Sequence, residues 1–395
     1  GYRSHLTLNG SSSVKDWTLE CSGCEHTAPG TTQATVCPEC GQPYLVRYAE
    51  LPATRDVLLP RWDMWRYAPL LPLLPGEVPV SLGEGATPLL EAPALARDIG
   101  VARLWVKDEG VNPTGSFKAR GMSAAVTRAR ALGVPGFVVP TAGNAGAALS
   151  AYGAAAGLPV HVFAPASTPP AILGTIRALG AELTTVDGHI GDAGRAAKAF
   201  AKESGYFDVS TLREPYRIEG KKTMGLELME QLGWRLPDVI IYPTGGGTGM
   251  IGMWKGFREL RSNGWLDPSK TLPRMVSAQS EGCAPIVRAF EKGASHAEPW
   301  QNPQTHAAGL RVPSALGDRL ILRALYESKG EAGAASEQAI REATALLSRR
   351  TGIDASPEGG CALAVCKNLV AAGRLSRDSE VVVFNTGSGA GYRGA

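Results

Sequence analysis

Short apolar runs alternate with alanine-rich helical stretches from residue 102 to the end of the chain. The apolar runs predict strands at residues 104–107, 136–140, 160–164, 240–243, 275–279 and 380–385. The intervening periodicity predicts helices that include residues 116–132, 145–156, 170–179, 191–204 and 336–352. Near-continuous apolar strands between helices are typical of parallel sheets covered on both faces. The pattern therefore predicts an α/β fold with doubly wound, mostly parallel sheets.

Three glycine-rich or polar turns directly follow predicted strands. They lie at residues 141–145, 244–249 and 386–389. Ligands of such folds bind at the carboxyl ends of the strands. We therefore expect these three turns to contribute to one shared site.

Composition and charge narrow the possible partners. The chain has 395 residues, of which 44% are hydrophobic and 19% charged, and its formal net charge is +3. That length suits two or three domains, and the weak charge argues against nucleic acid or an anionic membrane as partner. Residues 1–20 lack an apolar core segment, and prolines interrupt the apolar stretch at residues 70–74. We expect small-molecule partners, no signal peptide and no membrane span.

Four of the seven cysteines form two closely spaced pairs, Cys21-x-x-Cys24 and Cys37-x-x-Cys40. Paired thiolates at this spacing are typical of a tetrahedral zinc site, and four of them leave no open position for catalysis. We predict a structural Zn²⁺ with His26 as a surface residue; four unrelated buried thiols are the alternative. Free cysteines in a chain of this size favour a reducing cytoplasm over a disulfide framework.

A lysine stands where a helix is predicted to begin. Residues 112–121 form a turn that enters a helix, with Ser116 as the predicted N-cap and Lys118 in the first turn. A cation is disfavoured there by the helix dipole, unless it is neutralised as an imine with an aldehyde cofactor or by burial. The alternative is a solvated lysine that extends away from the helix start.

The sequence Asn-Pro-Thr-Gly-Ser-Phe-Lys, ending at Lys118, resembles the cofactor-lysine motif of fold-type II pyridoxal-phosphate (PLP) enzymes, the tryptophan synthase β-like superfamily. Residues 83–89, Gly-Glu-Gly-Ala-Thr-Pro-Leu, resemble the preceding segment of threonine synthases. The resemblance extends from residue 83 to 392. It implies PLP on Lys118, a zinc ribbon at 15–50, a large PLP-binding domain at 51–130 and 215–395, and a small α/β domain at 131–214. It also implies a homodimer.

The resemblance assigns roles to the turns at the strand ends. It implies that Asn144 hydrogen-bonds the phenolic oxygen of PLP and that Thr386 meets the pyridine nitrogen, with Ser388 as a second candidate. The substrate carboxylate falls to the turn that contains Thr141, Ala142, Gly143 and Ala145. The PLP phosphate falls to a backbone cup of Gly245, Gly246, Gly247, Thr248 and Gly249.

Residues 210–223 are rich in cations, and Arg217 matches the arginine with which threonine synthases bind the substrate phosphate. For each of these turns, a purely structural role is the alternative: an ordinary asparagine turn, a capping threonine or a solvated basic turn. A lone glycine-rich turn is weak support as well, because dinucleotide sites use similar chemistry.

The resemblance implies that the enzyme is a lyase which converts O-phospho-L-homoserine and water to L-threonine and phosphate. Three differences keep a second reaction open: Ala119 replaces an aspartate, Ala145 replaces a threonine, and the three consecutive glycines of the cup are similar to those of serine/threonine dehydratases. The alternative is β-elimination or β-replacement on serine, threonine or phosphoserine, as in dehydratases or cysteate synthases. A non-catalytic chain whose ribbon binds nucleic acid or protein is a further hypothesis.

Overall fold

The computed structural model describes residues 16–393. Its strands are β1 (Trp17–Cys21), β2 (Thr27–Pro29), β3 (Tyr44–Tyr48), β4 (Leu89–Glu91), β5 (Arg103–Asp108), β6 (Phe137–Pro140), β7 (Val160–Pro165), β8 (Glu182–Val186), β9 (Phe207–Asp208), β10 (Val239–Pro243), β11 (Arg274–Ser280), β12 (Glu331–Ala335) and β13 (Glu380–Asn385). Its α-helices are α1 (Pro93–Ile99), α2 (Lys118–Ala131), α3 (Asn144–Ala156), α4 (Pro170–Ala178), α5 (Ile190–Ser204), α6 (Tyr216–Gln231), α7 (Thr248–Ser262), α8 (Pro285–Glu291), α9 (Asp318–Glu327), α10 (Glu337–Thr351) and α11 (Pro357–Ala371).

The strands form three sheets. The largest has the order β12-β11-β10-β13-β5-β4 and is parallel except for β4, which runs antiparallel to β5. A second, fully parallel sheet has the order β8-β7-β6-β9, and β1 to β3 form a small antiparallel sheet. The predicted α/β class with parallel sheets is confirmed. Each sheet lies within one predicted segment of the chain, while the exact domain boundaries stay a prediction.

The six predicted strands are all present, and the five named helices end within two residues of their predicted bounds. One detail is wrong. Helix α2 begins at Lys118, so its N-cap is Phe117, which has no side chain able to cap it. The Ser116 hydroxyl still accepts the Lys118 backbone N–H at 3.3 Å. The lysine therefore occupies the first helical position itself.

Close contact between α2 and α6 fixes the start of α2. A Cβ atom at Gly220 would lie 2.1 Å from the Arg120 carbonyl oxygen, so the two helix backbones touch and no larger residue fits. Helix α7 packs on the other side of α6, where a Cβ at Gly252 would lie 2.7 Å from the Ile218 carbonyl oxygen. Because both neighbours approach so closely, α6 is held rigidly beside Lys118.

The small β1–β3 sheet joins the rest of the molecule through α6. The Trp17 indole N–H donates to the Tyr216 hydroxyl at 3.2 Å, and that hydroxyl donates to the Gly30 carbonyl oxygen at 3.1 Å. The Tyr48 hydroxyl donates to Glu219 on the same helix. Within residues 16–393, no helix is both long and apolar enough to cross a membrane.

Candidate active site

A cavity of about 400 Å³ lies at the carboxyl ends of the strands. Lys118 lines it together with the turn after β6, which includes Asn144, and with Gly246 from the turn after β10. Residues 308–316 and the start of α5 complete the wall. The structure thus brings the predicted lysine and two of the three predicted turns to one cavity.

The third turn, after β13, is bonded directly to the lysine motif. The Phe117 N–H donates to the Thr386 carbonyl oxygen at 2.9 Å, and the Ser388 N–H donates to the Gly115 carbonyl oxygen at 2.8 Å. A Cβ atom at Gly387 would lie 3.3 Å from the Asn144 side-chain nitrogen. Ser388 bonds instead to Asp354 and the Ala390 N–H, which leaves Thr386 as the free hydroxyl beside the lysine.

The turn after β6 is held by the hydroxyl of Thr141. That hydroxyl donates to the Gly143 carbonyl oxygen at 2.8 Å and accepts the Gly146 N–H at 3.1 Å. Asn144 begins α3, a helix of 13 residues that points its N-terminus at the cavity. A helix start with free backbone N–H groups favours a carboxylate or phosphate.

The turn after β10 is a cradle that excludes side chains. Gly247 has φ of +83°, which favours glycine, and a Cβ at Gly249 would lie 2.0 Å from the Tyr242 hydroxyl. A Cβ at Gly245 would lie 2.2 Å from the Gly309 carbonyl oxygen. The turn opens the 15-residue helix α7, so its amides and the helix dipole favour an anion.

The amine of Lys118 carries little charge at neutral pH. Desolvation, and to a lesser extent the charge of Arg217, lowers its pKa to about 7, against a small opposing effect of Glu358. Among the described residues, no carboxylate lies within ion-pair distance of this amine. Its Nζ atom sits 4.8 Å from the centre of the Phe117 ring. A lysine of this kind is a ready nucleophile and base at pH 7.

The family model described as "Pyridoxal-phosphate dependent enzyme" matches residues 80–387. The chain belongs to this family of PLP-dependent enzymes. Threonine synthase from Methanocaldococcus jannaschii is 38% identical over 82% of this chain and 80% of its own length. Threonine synthase from Mycobacterium leprae is 34% identical over 82% of this chain and 86% of its own.

Solved structures give the same answer for the fold. A bacterial threonine deaminase, from T.th., superposes with a TM-score of 0.64 at 27% identity, covering 76% of this PLP enzyme and 92% of the deaminase. Maize serine racemase superposes with a TM-score of 0.65 at 23% identity, covering 76% and 89% of the two chains. Fold type II is thereby established, and the sequence relatives make this a PLP-dependent enzyme similar to threonine synthases.

The residues present fit PLP. The cofactor needs an amine for its aldehyde, an anion seat for its phosphate and polar contacts for its ring. The cavity supplies the low-pKa amine of Lys118 and the side-chain-free cradle at Gly245–Gly249, and Thr386 and Asn144 approach the same lysine. The role of each of these residues stays a prediction.

Arg217 is not at the cavity surface. Its side chain is fully buried, and Nη1 donates to the Val209 carbonyl oxygen at 2.8 Å. Its Nε and Nη2 atoms have no partner among the described residues. Three cations that the sequence had not singled out do line the cavity: Arg195, Lys198 and Arg213. The cation-rich segment was the available signal for Arg213, whereas α5 gave none for the other two.

The two substituted positions have different surroundings. Ala119 is fully buried among apolar side chains that include Met122 and Val126, so an ionised aspartate there would be strongly disfavoured. Ala145 lies in the turn that lines the cavity. The loss of a hydroxyl at Ala145 therefore bears on the ligand, whereas Ala119 bears on packing.

The four cysteines of the β1–β3 sheet converge. Their sulfur atoms all lie within 4.8 Å of one another, with 3.4 Å between Cys21 and Cys40 and 3.6 Å between Cys24 and Cys37. Tetrahedral zinc with bonds of about 2.3 Å would separate sulfurs by about 3.8 Å. His26 bonds to the Tyr44 hydroxyl at 2.8 Å and takes no part in the cluster. The arrangement is compatible with one metal ion held by four thiolates.

Proposed function

We propose that this PLP enzyme is a lyase of the threonine synthase type, which converts O-phospho-L-homoserine and water to L-threonine and phosphate. One observation carries the proposal. Beside the low-pKa amine of Lys118, the described residues that line the cavity include three further cationic side chains and no carboxylate. Such a wall suits an amino acid with a negatively charged side chain better than serine or threonine.

Each part of the site has a proposed task. PLP, when bound, supplies the electron sink that stabilises a carbanion next to the substrate nitrogen. Lys118 Nζ binds the cofactor and moves protons at the substrate carbons, which its pKa near 7 permits in both directions. Backbone amides of Thr141, Ala142, Gly143 and Ala145 hold the substrate carboxylate, and the cationic segment at 210–223 takes the phosphate, with Arg217 as the residue assigned by resemblance.

The cofactor contacts follow the resemblance. Asn144 hydrogen-bonds the phenolic oxygen and Thr386 meets the pyridine nitrogen. The phosphate lies in the backbone cup of Gly245, Gly246, Gly247, Thr248 and Gly249. A neutral hydroxyl at the pyridine nitrogen leaves that nitrogen largely unprotonated, in contrast to a carboxylate partner.

The second candidate is β-elimination or β-replacement on serine, threonine or phosphoserine. The three consecutive glycines of the cup and the methyl group of Ala145 favour it, since a threonine hydroxyl at residue 145 would be one more contact for a substrate phosphate. The two reactions differ in their products. Threonine synthesis releases inorganic phosphate and forms threonine, whereas elimination from serine or threonine releases ammonia and a ketoacid.

The experiment is a product assay on purified holoenzyme. We expect a yellow protein, borohydride trapping of PLP on Lys118, and equal amounts of phosphate and threonine from O-phospho-L-homoserine. Ketoacid from serine or threonine, without phosphate release from phosphohomoserine, would replace the proposal with the second candidate. A colourless protein that takes up no PLP would contradict both.

We also propose that Cys21, Cys24, Cys37 and Cys40 bind one structural Zn²⁺, that the enzyme is a homodimer and that it works in the cytoplasm. Metal analysis should give one zinc per chain, and Cys24→Ser with Cys40→Ser should abolish it. Light scattering of the holoenzyme should give twice the chain mass of 41.4 kDa. Zinc-free protein with unchanged thermal stability would contradict the structural role.

A further inference from the structure

Two arginines lie one helical turn apart in the cation-rich segment, and they occupy different environments. Arg213 lines the cavity and is half-buried, and no described residue forms a side-chain hydrogen bond or ion pair with it. Arg217 is fully buried behind that surface. Of the other cations at the wall, Arg195 is paired with Asp192, so Arg213 and Lys198 are the unpaired ones among the described side chains that enter the wall from these two segments.

Arg217 fastens the turn that carries Arg213. Its Nη1 atom bonds to the Val209 carbonyl oxygen at 2.8 Å, just after β9, and its own N–H donates to the Glu214 carboxylate at 2.9 Å. The turn is thus tied at both ends. Between them Leu212 has φ of +64°, a conformation that costs a branched residue about 1–3 kcal/mol. The surrounding contacts hold this strained residue, and it directs the chain at Arg213.

We propose that Arg213 contacts the anionic side-chain group of the substrate, and that Arg217 is a positioning residue that acts through the turn. The proposal rests on the proposed function and refines its phosphate site. A guanidinium offers two parallel donors to a phosphate, and Lys198 adds a second charge from α5. The substrate class is an amino acid whose side chain ends in a dianionic, phosphate-like group.

The test is titration of inorganic phosphate into the holoenzyme by calorimetry, which requires no turnover. For Arg213→Gln we expect the phosphate Kd and the KM for O-phospho-L-homoserine to rise about 10–100-fold, as for loss of a charged hydrogen-bond pair. The PLP spectrum should stay unchanged. Arg213→Lys should lose less, about 3–10-fold, because it keeps the charge but not the fork. The matched control is Arg319→Gln, at an exposed arginine on α9 that does not line the cavity.

Arg217→Lys separates positioning from contact. A lysine keeps one donor for the Val209 carbonyl oxygen, so we expect a phosphate Kd within about threefold of wild type. If Arg217→Lys weakens phosphate binding about tenfold or more while Arg213→Gln leaves it within about twofold, Arg217 makes the contact and the proposal is overturned.

Failure of the proposed function would look different. A wild-type enzyme that binds phosphate through Arg213 but does not turn over phosphohomoserine would sink the reaction and leave this inference standing. An enzyme that makes threonine equally well with Arg213→Gln would sink the inference alone.

Discussion

Two groups of buried charges lie along α2 and α6, and they differ in how they are paired. Around Arg120, every charge has a partner: its guanidinium bonds to Glu109 at 2.9 Å and to Glu227 at 3.0 Å, and Lys107 also bonds to Glu227. Close by, Lys118, Arg217 and Lys221 have no carboxylate within ion-pair distance among the described residues.

The comparison teaches which charges serve the fold and which serve the ligand. A buried ion costs several kcal/mol unless it is paired and hydrogen-bonded. The network around Arg120 meets that requirement within the protein. The unpaired cations meet it only through neutralisation, as for the low-pKa amine of Lys118, or through an anionic ligand. The predictions below either break one group or sharpen the contrast between them.

The largest effect is expected at the unpaired lysine of the cavity. Lys118→Ala should reduce threonine formation by about 10³-fold or more, since both the attachment point for PLP and the proton carrier are lost. Thermal stability of the apoprotein should not fall, because the amine is unpaired. Steady-state assay and differential scanning fluorimetry provide the two readouts. Retained activity would remove Lys118 from the mechanism.

Within the paired group, Glu227→Gln should lower the free energy of unfolding by about 3–5 kcal/mol, because Arg120 and Lys107 would share Glu109 alone. The control is Glu230→Gln, one turn further along α6. Glu230 pairs with Arg66 at a partly exposed position, so its loss should cost about 1 kcal/mol. Urea unfolding followed by tryptophan fluorescence measures both; equal losses would contradict the comparison.

Two adjacent lysines of α6 give the sharpest matched pair. Lys222 donates to the Leu70 carbonyl oxygen at 2.7 Å, to Glu219 at 2.9 Å and to Glu259 at 3.0 Å, whereas Lys221 has no partner among the described residues. Lys222→Met should destabilise the protein by about 2–3 kcal/mol. Lys221→Met should be neutral or stabilise it by up to about 1 kcal/mol, because a desolvated amine is removed. The same urea experiment measures the difference, and the reverse order would refute the assignment.

The smallest effect is a pH dependence. Only the unprotonated amine of Lys118 attacks an aldehyde, and its pKa is lowered to about 7. The rate at which apoenzyme takes up PLP should therefore fall about tenfold per unit below pH 7 and level off above it. An ordinary lysine would continue to gain reactivity up to its pKa of 10.5. Absorbance of the bound cofactor follows the rate, and a rise that persists to about pH 10 would contradict the lowered pKa.

The sequence predicted strands where apolar runs are long, and missed strands that form only through pairing. β12 is Glu-Ala-Gly-Ala-Ala, with no β-branched or aromatic residue, yet it pairs with β11 along its whole length. β9 has two residues and owes its existence to β6. Such strands are set by tertiary contacts and carry no local signal.

For the site, local motifs located Lys118 and all three turns, because each lies within a few residues of a strand end. The pairing of charges could not be predicted. Lys221 and Lys222 are identical neighbours in sequence, and only the packing of α6 against α2 and α7 decides which of them meets carboxylates. Likewise, Arg213 and Arg217 are distinguished by depth, which the sequence does not encode locally.

The position of β13 has a consequence for how the protein is made. This last strand lies between β10 and β5 in the largest sheet, and the turn after it binds the lysine motif. During synthesis, β5 and β10 leave the ribosome long before the strand that joins them. Until residue 388 is available, the nascent chain holds two unpaired strand edges and a lysine without its seat. Cofactor capture is therefore a late event, open only to chains whose translation has reached the final strand.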